Sequence, residues 1–139
     1  KFHMNDVNAT VGLHNLPHIP ELLEKMRNNG KYFDEKLKDI NGIKLIKNNP
    51  KCNPAYWLYT IRVLNDKKQE FMDKMKEVGI MTSQVHNRND INSSVKEFQE
   101  ILPNLDILEK ELVCIPVGWW LEENDLEFIV SKIRGFFLK

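Results

Sequence analysis

The sequence predicts an α+β domain in which helices pack to one side of a small group of strands. Its 139 residues are enough for one hydrophobic core without disulfides or metals. An apolar stripe with helical spacing runs from Ile19 to Ile40, and Tyr56–Val63 is dense in aromatic and β-branched residues. Strands so close in sequence, separated by helical segments, favour an α+β sandwich.

Two helices are predicted at the N-terminal end of the chain. Asn5 or Asp6 provides a cap for the first helix, which is expected to end before Pro17. Pro20 suits the first turn of a second, longer helix, because that turn needs no N–H from it. Asn41-Gly42 is expected to end the second helix. Its apolar stripe comprises Ile19, Leu23, Met26, Phe33, Leu37 and Ile40.

Four strands are predicted from β-branched and aromatic composition. The first two are Ile43–Lys47 and Tyr56–Val63, and a third follows at Ile80–Val85. The fourth, Val113–Val117, contains Pro116, which confines it to the edge of a sheet.

The remaining helices are predicted from capping patterns. Asp66 with Gln69 forms a capping box for one helix, and Gly79 closes it. Asn124 with Glu127 caps the last helix. Between them, helices are expected at Val95–Leu102 and Leu105–Leu112.

Composition argues against several classes of function. The 20 basic and 20 acidic side chains balance, whereas binding to nucleic acid or to a membrane surface needs a basic excess. Segment 25–51 has eight basic against three acidic residues, and segment 97–127 has nine acidic residues against one lysine. We interpret these segments as solvated faces of opposite sign. No apolar run is long enough to span a bilayer.

Two cysteines and two histidines are candidate metal ligands. Cys52 and Cys114 match no metal spacing and are predicted to be reduced thiols in a cytoplasmic protein, with one disulfide between them as the alternative. His14 and His18 are four residues apart, but Pro17 lies between them and is expected to break the turn. No metal site is therefore predicted.

Other polar and aromatic residues have ordinary structural explanations. Trp119-Trp120 is interpreted as sealing the edge of the core, although such rings also stack on bases and sugars. Arg62, inside the strongest strand, is expected to be a partnered or edge arginine.

The segment GIMTSQVHNRND, residues 79–90, ends a predicted strand with unusually polar chemistry. Arg88 offers a planar fork for phosphate or carboxylate, and His86 can donate to a carbonyl or phosphate oxygen near neutral pH. A solvated loop explains the same residues equally well. From residue types alone, both interpretations stay open.

Four ordered sequence blocks resemble those of a known family: KFHMNDVNATVGL, YWLYTIRV, GIMTSQVHNRND and LPNLDILEKELVCIPVGWWL. In this order and at these distances they resemble the C-terminal part of the DegT/DnrJ/StrS aminotransferases. The resemblance implies the small domain of the aspartate aminotransferase fold (fold type I), an antiparallel sheet covered by helices. It implies that residues 1–139 form this C-terminal small domain of a pyridoxal-phosphate enzyme, with the large domain upstream.

The resemblance also implies roles for a few residues. The Schiff-base lysine of the family belongs to the large domain, so no catalytic residue is expected within this chain. Lys1 takes a position that reaches the cofactor phosphate of the neighbouring subunit in a homodimer, whereas His3 departs from the usual arginine. His86 falls on a histidine beside the bound nucleotide sugar, and Arg88 is assigned to the same substrate-facing loop.

The expected reaction moves an amino group from glutamate to a keto-deoxyhexose nucleotide sugar, as in perosamine or viosamine synthesis. A sugar dehydratase of the same family, with histidine in place of the lysine, is one alternative. A free-standing ferredoxin-like binding module that uses segment 25–51 is another. The isolated chain is expected to be inactive and to leave apolar residues of its first helix exposed.

Overall fold

The computed structural model describes residues 3–138, which form a three-stranded antiparallel sheet and five α-helices. Two helices precede the sheet, and short 3-10 turns join some of the elements. The helices are α1 (Asp6–Asn15), α2 (Ile19–Leu37), α3 (Lys68–Glu77), α4 (Pro103–Glu111) and α5 (Glu123–Phe137).

The sheet consists of β1 (Ile43–Leu45), β2 (Tyr59–Val63) and β3 (Leu112–Ile115), with β2 at its centre. Both neighbours pair with β2 in antiparallel register. Ile61 lies opposite Val113, one of a series of apolar pairs that puts β-branched side chains on the same face. The predicted antiparallel α+β architecture is therefore confirmed.

The core lies between one face of the sheet and the layer formed by α2, α3 and α5. Each of these helices contributes a fully buried apolar side chain, and full burial of such a side chain stabilises the fold by about 1.5–3 kcal/mol. The fully buried side chains are Phe33, Leu37, Ile61, Val63, Phe71, Val113 and Ile133.

Helix α4 packs against β2 from the other face. Side chains alternate along a strand, so Arg62 points away from Ile61 and the helical layer. The Arg62 guanidinium donates to Glu111 at the end of α4, with an Nε–Oε2 distance of 2.6 Å. Arg62 is thus a partnered arginine, as predicted.

Two predicted elements differ from the structure. Segment 80–85 is not a regular strand, and its one bridge joins Ser83 to Cys114 of β3. The segment turns immediately afterwards, because Val85 has φ 53°. The helix predicted at 95–102 is a 3-10 turn at Ser93–Phe98, and α4 starts afresh at Pro103.

The predictions for helix ends have mixed outcomes. Asn5 caps α1, since its side chain accepts from the backbone N–H of Asn8 at 2.8 Å. Pro20 lies in the first turn of α2, and Gly79, with φ 80°, follows α3 as predicted. These three outcomes depend only on local backbone chemistry.

Both predicted capping boxes are wrong. Asp66 adopts φ 56° in the turn before α3, which begins two residues later at Lys68 without a side-chain cap. At α5 the capping box consists of Glu122 and Asp125, because the helix begins two residues earlier than the predicted Asn124 cap allows.

Helix α1 has no buried residue, although it carries several apolar side chains. Val7 and Leu13 are each 71% exposed, and Val11 is 55% exposed. The predicted bare apolar face is therefore confirmed. Within residues 3–138, no helix combines the length and hydropathy needed to cross a membrane.

Candidate functional site

His86 lies at the end of the segment that pairs with the free edge of β3. Two backbone hydrogen bonds, of 3.1 and 2.7 Å, join Ser83 to Cys114 and hold the start of the loop. The left-handed backbone of Val85 then turns the chain, and His86 is exposed. Its predicted contact with the nucleotide sugar stays a prediction.

Trp57 is the aromatic neighbour of His86. Their ring centroids are 6.2 Å apart at an interplanar angle of 60°, and the Trp57 side chain is 75% exposed. Trp57 and Trp120 both line a groove of about 670 Å³ whose apolar floor includes Ile115 and Val117. Exposed indole faces beside a polar histidine suit the stacking of a sugar or base ring.

Arg88 is surrounded by carboxylates. Its guanidinium donates to Asp90 at 2.9 and 2.5 Å and to Asp106 of α4, and it lies 3.5 Å from Glu109. Its hydrogen bond to Asp90 raises the pKa of Arg88, and the same bond lowers the pKa of Asp90. The guanidinium therefore ties the loop to α4, and its predicted role as a substrate ligand stays a prediction.

Lys68, at the start of α3, is the second side chain that holds the loop. Its Nζ donates to Oε1 of Gln84 at 2.5 Å and to the backbone carbonyl of Glu109 at 2.6 Å. Burial lowers the pKa of Lys68, and Glu109 partly opposes that shift. The amide of Gln84 in turn donates to the carbonyl of His86 at 3.3 Å.

Asn29 fixes the turn that leads to Trp119 and Trp120. It is buried in α2, and its Nδ2 donates to the carbonyls of Gly118 at 3.0 Å and Val117 at 3.4 Å. The two indoles are 46% and 62% exposed, so the interpretation that they seal the core is wrong. The turn instead presents Trp120 to the groove.

A polar cluster includes the two tyrosines that lie on either side of Trp57 in the sequence. Tyr59 donates to Asp34 at 2.7 Å, and Tyr56 donates to the same carboxylate at 3.4 Å. Burial and the hydrogen bond to Asp34 raise the pKa of Tyr59. Both tyrosines are neutral near pH 7, so the cluster joins α2 to β2 as a structural network.

The other candidate ligands do not converge. Among residues 3–138, no group of three His, Cys, Asp or Glu side chains is placed to hold a metal ion. Pro17 does not break the chain between His14 and His18, because a 3-10 turn continues α1 and brings their ring centroids to 6.4 Å. The expectation that Pro17 breaks the turn between the two histidines is therefore wrong. Cys52 and Cys114 are both free thiols.

Lys1 is the position predicted near the cofactor, and His3 is the position that departs from the arginine of the family. Lys1 lies outside the described residues, so its predicted contact with a cofactor phosphate stays a prediction. His3 is exposed.

Sequence reasoning missed three residues around His86. Trp57 was counted as part of a strand, although β2 begins two residues later at Tyr59. Lys68 falls within a predicted helix and Gln84 within the predicted strand Ile80–Val85. Only Trp57 gave a signal in the sequence, as an aromatic residue just before a strand. Lys68 and Gln84 gave none, because their contacts join residues far apart in the sequence.

The DegT/DnrJ/EryC1/StrS aminotransferase family has a sequence model that matches residues 1–134. The chain belongs to this family. The resemblance found in the four sequence blocks is therefore confirmed.

Sequence and structural relatives agree with this membership. The chain is 27% identical over 142 residues to a dTDP-4-amino-4,6-dideoxy-D-glucose transaminase of Shigella dysenteriae, covering 94% of this chain and 37% of that protein. It also resembles the sugar aminotransferase CalS13 of Micromonospora echinospora, with 36% identity and a TM-score of 0.92. AtS13 of Actinomadura melliaura gives 38% identity and a TM-score of 0.90.

The fold is that of fold type I pyridoxal-phosphate aminotransferases, as predicted, which argues against the ferredoxin-like alternative. The two structural matches cover 97% of this chain and 36% of each solved chain. This family member therefore spans little more than a third of the length of the relatives that it matches.

Proposed function

We propose that this chain is the C-terminal small domain of an aminotransferase that converts a keto-deoxyhexose nucleotide sugar into an amino sugar. The observation that carries the proposal is the family match over residues 1–134. The named activity of the Shigella relative, a dTDP-amino-dideoxyglucose transaminase, supports a substrate of the viosamine or perosamine type. We propose glutamate as the amino donor.

The complete protein is proposed to use pyridoxal 5'-phosphate, which when bound would carry the amino group from donor to acceptor. The described residues do not by themselves form a site for it. Lys68, a partly buried lysine, already donates to Gln84 and to the Glu109 carbonyl. The lysine that bonds to the cofactor is proposed to lie in the large domain, and Lys1 to reach the cofactor phosphate across a homodimer.

His86 is the residue of this chain that we assign to the substrate. Its exposure leaves the imidazole free to hydrogen-bond a phosphate or sugar oxygen. Trp57, with its ring 6.2 Å from the imidazole centroid, would stack on a ring of the same ligand. Together the two side chains would orient the nucleotide sugar so that its keto carbon meets the amine.

Arg88 has a different part in this proposal. Two carboxylates accept hydrogen bonds from its guanidinium, and a third lies 3.5 Å away. A phosphate would have to compete with all of them. Arg88 would therefore serve substrate binding by holding the loop, and would bind phosphate directly only after exchanging these partners.

We place the reaction in the cytoplasm. Both cysteines are free thiols, which suits a reducing compartment.

Isotope transfer tests the proposal. The complete protein is incubated with pyridoxal phosphate, glutamate carrying ¹⁵N, and a dTDP-linked 4-keto-6-deoxyhexose, and the sugar is analysed by mass spectrometry. Appearance of ¹⁵N in the sugar supports the proposed transfer. Loss of water from the sugar without gain of nitrogen would establish the dehydratase instead. A mixture without glutamate is the control, and no change in any nucleotide sugar offered would contradict the proposal.

A further inference from the structure

The loop that carries His86 is anchored at both ends, with a strained residue between the anchors. Ser83 is joined to β3 on one side, and Arg88 is joined to α4 through Asp106 on the other. Val85 has φ 53°, a left-handed conformation that β-branched residues rarely adopt. Such a conformation persists only where the surrounding contacts determine it.

A backbone hydrogen bond of 2.6 Å from the His86 N–H to the Gln84 carbonyl closes the turn around Val85, and the side chain of Gln84 adds a second link. Its Oε1 accepts from Lys68 at 2.5 Å, and its Nε2 donates to the carbonyl of His86 at 3.3 Å. The amide group thus bridges the residues on either side of Val85. Without it, the carbonyl of His86 has no side-chain partner among the described residues.

Lys68 is suited to orient this amide. Its ammonium is half-buried and donates to the Glu109 carbonyl at 2.6 Å as well, so it joins α3, α4 and the loop. An ammonium only donates, and it therefore requires the oxygen of Gln84 to face it. The nitrogen of the same amide must then face His86.

We propose that Lys68 and Gln84 are positioning residues, which hold His86 beside Trp57 in the orientation needed for the nucleotide sugar. The role that we give to this arrangement rests on the proposed function, because His86 is the assigned substrate contact. The arrangement itself rests on the distances alone. Neither residue touches the substrate in this proposal.

A double-mutant comparison tests the arrangement in the 139-residue chain. Lys68→Met and Gln84→Met remove the two side-chain links, and NMR follows the imidazole protons of His86, which feel the ring current of Trp57. Each variant should shift those resonances and speed exchange of the His86 amide. The double variant should shift them no further than either single change, because both links act through one amide.

Lys74→Met is the matched control. Lys74 lies on the same helix, is exposed, and pairs with Glu77 one turn away, so the His86 resonances should not move. Far-UV circular dichroism checks that α3 remains folded in every variant. If Lys68→Met fails to fold, Gln84→Met carries the test by itself. Unchanged His86 resonances in Gln84→Met, or additive shifts in the double variant, would overturn the proposal.

Gln84→Glu separates the two links. A carboxylate keeps an acceptor for Lys68 but loses the donor to the His86 carbonyl. The His86 resonances should therefore shift while the loop stays anchored to Lys68. A wild-type spectrum in this variant would show that the bond to His86 is dispensable, and would also overturn the proposal.

Kinetics of the complete protein add the functional arm. Gln84→Met should raise KM for the nucleotide sugar about tenfold, the effect of losing one well-placed hydrogen bond, with kcat nearly unchanged. If the His86 resonances shift but KM does not, the positioning by Lys68 and Gln84 stands as geometry and the assigned substrate role of His86 fails. The two failures are thus distinguishable.

Discussion

Replacing Asn29 by alanine should unfold the turn that presents Trp120 to the groove. Asn29 is 5% exposed, and its amide donates to the carbonyls of Gly118 and Val117. The substitution removes this donor from both buried carbonyls, although the Gly118 carbonyl keeps the backbone N–H of Leu121 at 3.2 Å. A buried polar group that loses its partner costs about 1–3 kcal/mol, and the carbonyl of Val117 loses its side-chain donor.

Asn28 provides the matched control for this prediction. It is exposed and lies on the same helix, so Asn28→Ala measures the gain in helix propensity alone, up to about 0.7 kcal/mol. The free energy of unfolding of Asn29→Ala should fall below that of Asn28→Ala by about 2 kcal/mol. For a chain of this size, that difference lowers Tm by roughly 8 °C.

Urea denaturation followed by far-UV circular dichroism gives the free energy of unfolding, and tryptophan fluorescence reports on the turn. Because the side chain of Asn29 in α2 holds the turn, the tryptophan fluorescence should change at a lower urea concentration in Asn29→Ala than in Asn28→Ala. Equal stability of the two variants within about 0.5 kcal/mol, the usual effect of a surface substitution, would refute the assigned role of the buried amide.

Four further predictions follow from exposure, charge and burial. The free energy of unfolding should fall above pH 10 by about 1.4 kcal/mol per pH unit, because the raised pKa of Tyr59 keeps it neutral after an unfolded tyrosine ionises. The Tyr59→Phe variant should lack this pH-dependent fall when the wild type and the variant are unfolded in urea at a series of pH values above 10. In the complete protein, His86→Gln should raise KM for the nucleotide sugar roughly tenfold or more while the glutamate half-reaction keeps its rate, and a parallel fall of both rates would count against a substrate contact. Arg88→Gln should speed amide exchange in segment 86–92, measured by mass spectrometry, and an unchanged rate would mean that the carboxylates do not hold the loop. Serine at both Val7 and Val11 should weaken self-association in sedimentation, whereas a monomeric wild type over a wide concentration range would remove the premise.

The elements that the sequence predicted well are those with local causes. Asn5 caps α1, Pro20 lies in the first turn of α2, and Gly79 follows α3 with positive φ. Each outcome depends on the chemistry of one residue and its near neighbours in the chain. The capping boxes failed where two overlapping polar patterns competed, as Glu122 with Asp125 displaced the predicted pair in α5.

The third strand shows where local patterns stop being sufficient. Ile80–Val85 has the composition of a strand, yet only Ser83 is bridged to β3. The side chain of Gln84 instead accepts from Lys68 of α3, which lies 16 residues earlier in the chain. Lys68 in turn donates to the carbonyl of Glu109 in α4, 41 residues after it. No short window of sequence contains those contacts.

By itself, the sequence determined the family, the α+β class and the place of His86 at the end of an apolar segment. Ordered blocks and apolar periodicity record these features directly along the chain. Only the tertiary structure decided that Trp57 lies beside His86 and that Lys68 donates to Gln84. It also decided that the guanidinium of Arg88 is paired with carboxylates. The physical reason is that a polar side chain takes the partner that folding brings within hydrogen-bond distance, and residue types alone do not specify which partner that is.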